Sequence, residues 1–213
     1  MVTRHIAIKN LQKYINKNLS TYAKQFGITI YKNGKLNKGW KGQVLERLAG
    51  LEGDNKQAPN GLGFELKSTS YKKLKNNSLV PKETMAITMI NPAILKETSF
   101  FKSHCWDKLK MIVFCAVMWY KEDKSKAELL GIKSFDMLDS GKLIKEIEQD
   151  YEFIRHKLIT KGFKSLTGVD GKWIQARTKG TGGINPRTGK KRPKTRAFYA
   201  RPKLIKEIFG DSF

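Results

Sequence analysis

The stretch from Met111 to Tyr120 is a nearly unbroken apolar run. It has about half the roughly 18 residues that a membrane helix needs, so it reads as a central strand buried on both faces. Such a strand must be covered on two sides. The run therefore points to a mixed α/β fold, a small sheet with helices around it.

The other periodicities supply the parts. Ile8, Leu11, Ile15, Leu19 and Tyr22 recur at three- and four-residue steps and predict one amphipathic helix running to about Phe26, where Gly27 stops it. A turn-rich link, Tyr31 to Lys38, precedes a second short helix that starts near Gly39 or Trp40 and carries Val44, Leu45, Leu48 and Leu51. Leu62, Phe64 and Leu66 alternate with Gly63, Glu65 and Lys67, the period of a strand with one buried face. Thr84 to Ile90 reads as a strand, Ala127 to Phe135 as a weaker one, and Ser140 to Leu158 as a helix. Two short strands, near Lys172 to Arg177 and Arg196 to Arg201, lead into a closing helix from about Pro202 to Phe209.

Charge narrows the partners. The 213 residues carry 42 Lys and Arg against 19 acidic residues, a net charge of +23. That excess attracts polyanions, either nucleic acids or anionic membrane surfaces. Arg4, His5, Lys9 and Lys13 break up any signal-peptide core at the N-terminus. Cys105 and Cys115 sit among apolar neighbours without metal-type spacing, as reduced core thiols of a cytoplasmic protein do. Secreted disulfide scaffolds, membrane proteins and zinc modules are thereby excluded.

One constellation can carry chemistry. Glu65 and Lys67 share a strand face, and a carboxylate beside an ammonium on an open face suits metal-dependent phosphodiester hydrolysis. Glu46 on the preceding helix can complete the site. Taken alone, Glu-x-Lys is weak, because a solvated cross-face ion pair looks the same. His104 invites a general-base role, but no nucleophile has the needed partners, and a structural role is the plainer one. Met85 and Met89 read as core filling.

The surroundings are more specific. Lys38-Gly39-Trp40-Lys41-Gly42-Gln43-Val44-Leu45-Glu46 is followed by Leu62-Gly63-Phe64-Glu65-Leu66-Lys67-Ser68. Further on come Ser103-His104-Cys105-Trp106-Asp107-Lys108-Leu109-Lys110, Asp150-Tyr151-Glu152, Trp173-Ile174-Gln175-Ala176-Arg177-Thr178-Lys179 and Arg196-Ala197-Phe198-Tyr199-Ala200-Arg201-Pro202-Lys203. In this order the segments resemble those of the MutH-like nucleases, which comprise the methyl-directed mismatch-repair nicking endonuclease and type II restriction endonucleases that cut at GATC or related sites.

The resemblance implies a PD-(D/E)xK restriction-endonuclease-like fold in one domain, 1–213, shaped as a two-lobed clamp. The N-terminal lobe, about 1–100, would carry the catalytic motif, and the C-terminal lobe, about 101–213, the recognition strands and a basic loop, 178–195. It also implies a bacterial or phage-encoded enzyme, a Mg²⁺ cofactor for which Mn²⁺ or Ca²⁺ can substitute as ligand, and a 5′-phosphate product. Glu65 and Lys67 match the catalytic Glu-x-Lys, and Glu46 matches the helix glutamate of the metal site. The sequence departs at Pro59-Asn60, where the family signature reads Pro-Asp. Asn60 offers an amide oxygen without charge and would make a weaker metal site with Glu46 and Glu65. Three readings stay open: an Asp→Asn inactivated form, a naturally impaired site, or Asp54 serving instead.

For duplex DNA, the 178–195 segment brings Lys179, Arg187, Lys190, Lys191, Arg192 and Lys194 on a glycine-punctuated backbone. Arg177, Lys179, Arg187, Arg196 and Arg201 are candidates for contacting bases. Tyr199 matches the family tyrosine that contacts the methylatable adenine, although a packed core tyrosine is comparable. Lys72, Lys73 and Lys75 can grip phosphates beyond the catalytic strand. The expectation is a site-specific Mg²⁺-dependent endonuclease of the type II restriction kind, acting as monomer or homodimer. The alternatives are a non-catalytic DNA-binding module derived from a nuclease and a mismatch-repair nickase.

Overall fold

The apolar run forms β6 (Met111–Met118), and its alternating side chains split between two cores. Ile112, Phe114 and Ala116 enter one cluster, while Val113, Cys115 and Val117 enter the other. Burial pushes both cysteine thiols up in pKa, Cys115 to about 12, as expected of inert core thiols. The computed structural model describes residues 2–51, 59–180, 182–184, 187–190 and 194–210.

Around β6 lies a four-stranded sheet in the order β4–β3–β6–β7, with β3 (Glu65–Lys73), β4 (Leu79–Pro81) and β7 (Leu129–Asp136). Only the β3–β6 pair is parallel, with Glu65 opposite Ile112 and Tyr71 opposite Met118. One face is covered by α1 (Arg4–Gln12), α2 (Leu19–Gln25) and α3 (Trp40–Ala49). Between α2 and α3 a hairpin of β1 (Tyr31–Lys32) and β2 (Lys35–Leu36) fills what reads in sequence as a link.

A second, antiparallel sheet runs β5–β9–β8, with β5 (Met85–Met89), β8 (Ile174–Lys179) and β9 (Thr195–Ala200). It shares the other core with α4 (Pro92–Glu97), α5 (His104–Leu109), α6 (Gly141–Lys161) and α7 (Pro202–Phe209). The mixed α/β architecture with a small mixed sheet and flanking helices is the one the sequence indicates. Strand pairing crosses residue 100 in both sheets: β5 joins β9, and β6 joins β3.

Two local expectations need correction. The helix expected to run unbroken to Phe26 is two helices. Asn16 adopts φ 61 and its N–H donates to the Leu129 carbonyl, Ile15 bridges Leu129, and Asn18 caps α2 by accepting from Ser20. The three-to-four spacing misleads because both helices bury their apolar faces in the same core. The strand expected from Leu62 begins at Glu65. Gly63 sits at φ 75, the Gly61 N–H donates to the Phe64 carbonyl, and Leu62 is left exposed in the turn.

The long helix α6 also anchors β8. Asp150 is 7% exposed and accepts the main-chain N–H groups of Lys172 (2.7 Å), Trp173 (2.5 Å) and Ile174 (3.0 Å). Gly171 makes the turn possible at φ 80, where an added Cβ would fall 2.1 Å from the Ile174 carbonyl oxygen. Asp150→Ala strands three main-chain donors at once, those of Trp173 and Ile174 buried. Its expected cost is about 3 kcal/mol, read as a melting temperature roughly 6–12 °C lower in calorimetry. A change within error would show that Asp150 is not what orders β8.

Candidate active site

Glu65 opens β3, and the parallel pairing with β6 drives its side chain into the protein at 1% exposure. A carboxylate stripped of water needs charged or hydrogen-bonding partners. Its Oε1 lies 2.7 Å from Lys67 Nζ, two residues along the same strand face, and 2.9 Å from Lys108 Nζ in the last turn of α5. Its Oε2 accepts the Asn60 main-chain N–H at 3.0 Å. The sequence indicates an open strand face here. The structure instead closes it with Lys108 and the 59–64 turn, so Glu65 is no solvated surface ion pair.

Asn60 joins this group to α3. Its Nδ2 donates to Glu46 Oε1 at 3.1 Å, and its Oδ1 accepts the Leu66 N–H at 3.1 Å. Glu46, Asn60, Glu65 and Lys67 thus converge, although Glu46 and Glu65 are 19 positions apart and on different elements. Lys108 completes the group at 8% exposure. Sequence reasoning gave it no role of its own. The available signal was a lysine on the apolar side of α5, beside Cys105 and Leu109.

These residues lie at the floor of a cleft of about 980 Å³ between β3, α3 and the 82–89 segment. Lys38, Lys41, Lys67, Lys82, Lys108, Lys124 and Lys179 line it, against Glu46, Glu65 and Glu83. Lys41 Nζ donates to Ser70 Oγ at 3.1 Å. Loss of solvent around its ammonium lowers its pKa, Glu83 opposes that shift and Lys82 adds to it. Lys179 is exposed as a residue, yet its ammonium reaches the cleft. Loss of solvent, then the charges of Lys67 and Lys108, hold its pKa below the ordinary 10.5.

The donor set can be tested against a hard divalent cation. Glu46 and Glu65 bring two carboxylates together, the oxygen chemistry such an ion takes. Asn60 contributes less, because its oxygen is engaged by Leu66 and its NH₂ faces Glu46. Among the described residues, no cluster of three His, Cys, Asp or Glu side chains has metal-binding geometry. Asp54 lies outside the described residues.

The other sequence candidates are spread more widely. Arg177 donates to Thr84 Oγ1 at 2.6 Å and lies over the half-buried Tyr199 ring at 5.4 Å. Burial raises the Tyr199 phenol pKa. Arg196 stacks over Phe163 at 5.8 Å. Arg201 is turned away to the carbonyls of Gly168, Asp170 and Gly171. Lys72 and Lys73 are exposed at the far end of β3 from Glu65, paired with β4, and Lys75 is exposed beyond them. Arg187 and Lys190 are exposed, and Lys191 and Arg192 lie outside the described residues. His104 is exposed at the start of α5, Met85 is core, and Met89 is 39% exposed.

With this geometry in hand, the chain matches the family model described as DNA mismatch repair enzyme MutH over residues 51–155. DNA mismatch repair protein MutH from Shewanella sp. strain W3-18-1 is 25% identical over 204 residues, covering 92% of this chain and 89% of that protein. The MutH protein of Shewanella putrefaciens strain CN-32 matches with the same figures. A solved complex of the restriction endonuclease MvaI with its cognate DNA substrate aligns over 98% of this chain and 97% of that one, at 13% identity and a TM-score of 0.41.

The shared carboxylate makes its partners unequal. Glu65→Gln leaves Lys67 and Lys108 facing each other and costs about 3 kcal/mol. Lys108→Met leaves Glu65 still paired with Lys67 and costs less. Combining the two is expected to recover about 1 kcal/mol relative to Glu65→Gln alone, measured by urea unfolding. Strict additivity would show that the two ammonium groups do not share this carboxylate.

Proposed function

We propose that this chain, which is MutH-like, is a site-specific endonuclease of double-stranded DNA, a type II restriction-type deoxyribonuclease that hydrolyses phosphodiester bonds with Mg²⁺. The observation that carries this reading is Glu65 held by Lys67 and Lys108 at the floor of a lysine-walled cleft, within one residue's reach of Glu46. Glu46 and Glu65 are the residues that would hold the cation, and Mn²⁺ or Ca²⁺ can stand in as its ligand-binding equivalents. When bound, it supplies Lewis-acid polarisation of the phosphate and a more acidic water.

The chain's own groups do the rest. In this reading Lys67, ion-paired with Glu65, orients the attacking water against the phosphate and balances negative charge as the bond forms. Lys108 holds Glu65 in position from the α5 side. Lys179 and Lys41 meet phosphate oxygens along the cleft, and each neutralised phosphate contributes about −0.9 to the slope of log affinity against log salt. Arg177 on β8 and Tyr199 on the adjoining central strand β9, stacked on one face of the second sheet, form the surface best suited to reading bases. One active site cuts one strand, so a double-strand break needs two chains or two successive events.

A second reading has its own observation. The Asn60 amide, neutral and hydrogen-bonded on both sides, favours a duplex-binding module that leaves cutting to another protein. The family description adds a repair nickase as a third. Supercoiled plasmid incubated with Mg²⁺, in parallel with this chain and Asn60→Asp, separates them. Discrete linear fragments mark a restriction-type enzyme, and open circles alone mark a nickase. A shifted duplex uncut by either protein overturns the endonuclease reading. Where cleavage occurs, Lys67→Ala is expected to slow it by about 10²–10⁴-fold.

Lys179 gives a pH signature. Its pKa is lowered in the free protein, and a phosphate beside it raises the value again. Between the lowered value and 10.5, duplex binding therefore takes up a proton, and affinity falls as pH rises through that window. Calorimetry in buffers of different ionisation heat reads the uptake, and Lys179→Met is expected to reduce it, leaving the share of Lys41, whose pKa is lowered too. Equal uptake in the variant would place the proton elsewhere.

A further inference from the structure

Asn60 makes three hydrogen bonds that together tie α3 to β3 across the cleft floor. Its main-chain N–H donates to Glu65 Oε2 at 3.0 Å, its Oδ1 accepts from Leu66 at 3.1 Å, and its Nδ2 donates to Glu46 Oε1 at 3.1 Å. The amide cannot be turned over. A flip would set its oxygen against the Glu46 carboxylate and its NH₂ against the Leu66 N–H, two contacts between like partners. The residue is therefore a donor toward one carboxylate through its side chain and toward the other through its backbone. Glu65 Oε1 is meanwhile matched by Lys67 and Lys108.

We propose that Asn60 is a positioning residue that braces Glu46 and Glu65 by hydrogen bonds, so that the site is assembled without a divalent cation and takes one up weakly. This rests on the reading of Glu46 and Glu65 as the cation-holding pair. An aspartate has the same shape, but the atom replacing Nδ2 is an oxygen about 3.1 Å from Glu46 Oε1. Two anionic oxygens at that distance repel each other, and a cation between them relieves the repulsion. The amide supplies internally the positive end that a cation would otherwise provide, and it also removes one anionic ligand.

The full chain, Asn60→Asp and Asn60→Ala are compared by melting temperature in EDTA and in about 1 mM Mn²⁺, with bound Mn²⁺ counted by electron paramagnetic resonance. The chain itself is expected to shift by less than about 2 °C with Mn²⁺. Asn60→Asp is expected to melt roughly 5 °C lower in EDTA and to recover that loss in Mn²⁺. Its affinity for the ion is expected to be at least about tenfold tighter. Asn60→Ala loses the brace and is expected to melt lower in both conditions.

Mn²⁺ bound equally well by the chain and by Asn60→Asp, or an Asn60→Asp protein as stable in EDTA as the chain, overturns the brace. Duplex binding in EDTA, followed by fluorescence anisotropy, tests the nuclease reading separately. The Mn²⁺ pattern without duplex binding keeps the brace and removes the nucleic-acid role. Duplex binding without the Mn²⁺ pattern removes the brace alone.

Discussion

A carboxylate at 1% exposure is the constraint around which this protein is arranged. Burying Glu65 costs more than any single contact returns, and the fold brings it partners from three separate places. Lys67 comes from two steps along the same strand, Lys108 from the end of α5, and the Asn60 N–H from the turn before β3. Each delivery depends on a larger feature. The parallel β3–β6 pairing sets the depth of Glu65, and α5, which runs directly into β6, aims Lys108 at it.

The central strand β6 makes that geometry rigid. Its two faces sit in different clusters, one closed by the N-terminal helices and the other by α6, α7 and the second sheet. The cleft floor rests on the same strand pair. Lysine side chains line the cleft walls while apolar residues fill both cores, so positive charge gathers around Glu46 and Glu65 in the cleft. The crowding is visible in Lys179, whose ammonium is already opposed by Lys67 and Lys108 before any anion arrives.

Much of this was legible in the residues, for identifiable reasons. Long or strongly patterned segments carry their own period: the Met111–Tyr120 run, the helix after Ser140 and the closing helix at Pro202 fold as their spacing indicates. Where a short polar residue makes a tertiary bond, the pattern misleads. Asn16 and Asn18 break the first helix because the Leu129 carbonyl at the start of β7 and the Ala127 N–H just before it are their partners, more than a hundred positions away. β4, α4 and α5 are three to six residues long, too short to show a period. The convergence of Glu46, Asn60, Glu65 and Lys67 was indicated by motif order. The place of Lys108 was not, because a lysine buried by an ion pair looks in sequence like any surface lysine.

The two sheets are joined by a very short piece of chain. β4 ends at Pro81 in the first sheet and β5 begins at Met85 in the second, leaving Lys82, Glu83 and Thr84 between them. Pro81 and Met85 are four residue steps apart, a reach of at most about 14 Å when fully extended. The Lys82 N–H is also bonded to the Ser70 carbonyl at 2.8 Å, which fixes one end of this tether to β3. The cleft walls therefore cannot draw apart along that edge. Any change in cleft width is smallest beside residues 82–84 and largest at the opposite rim.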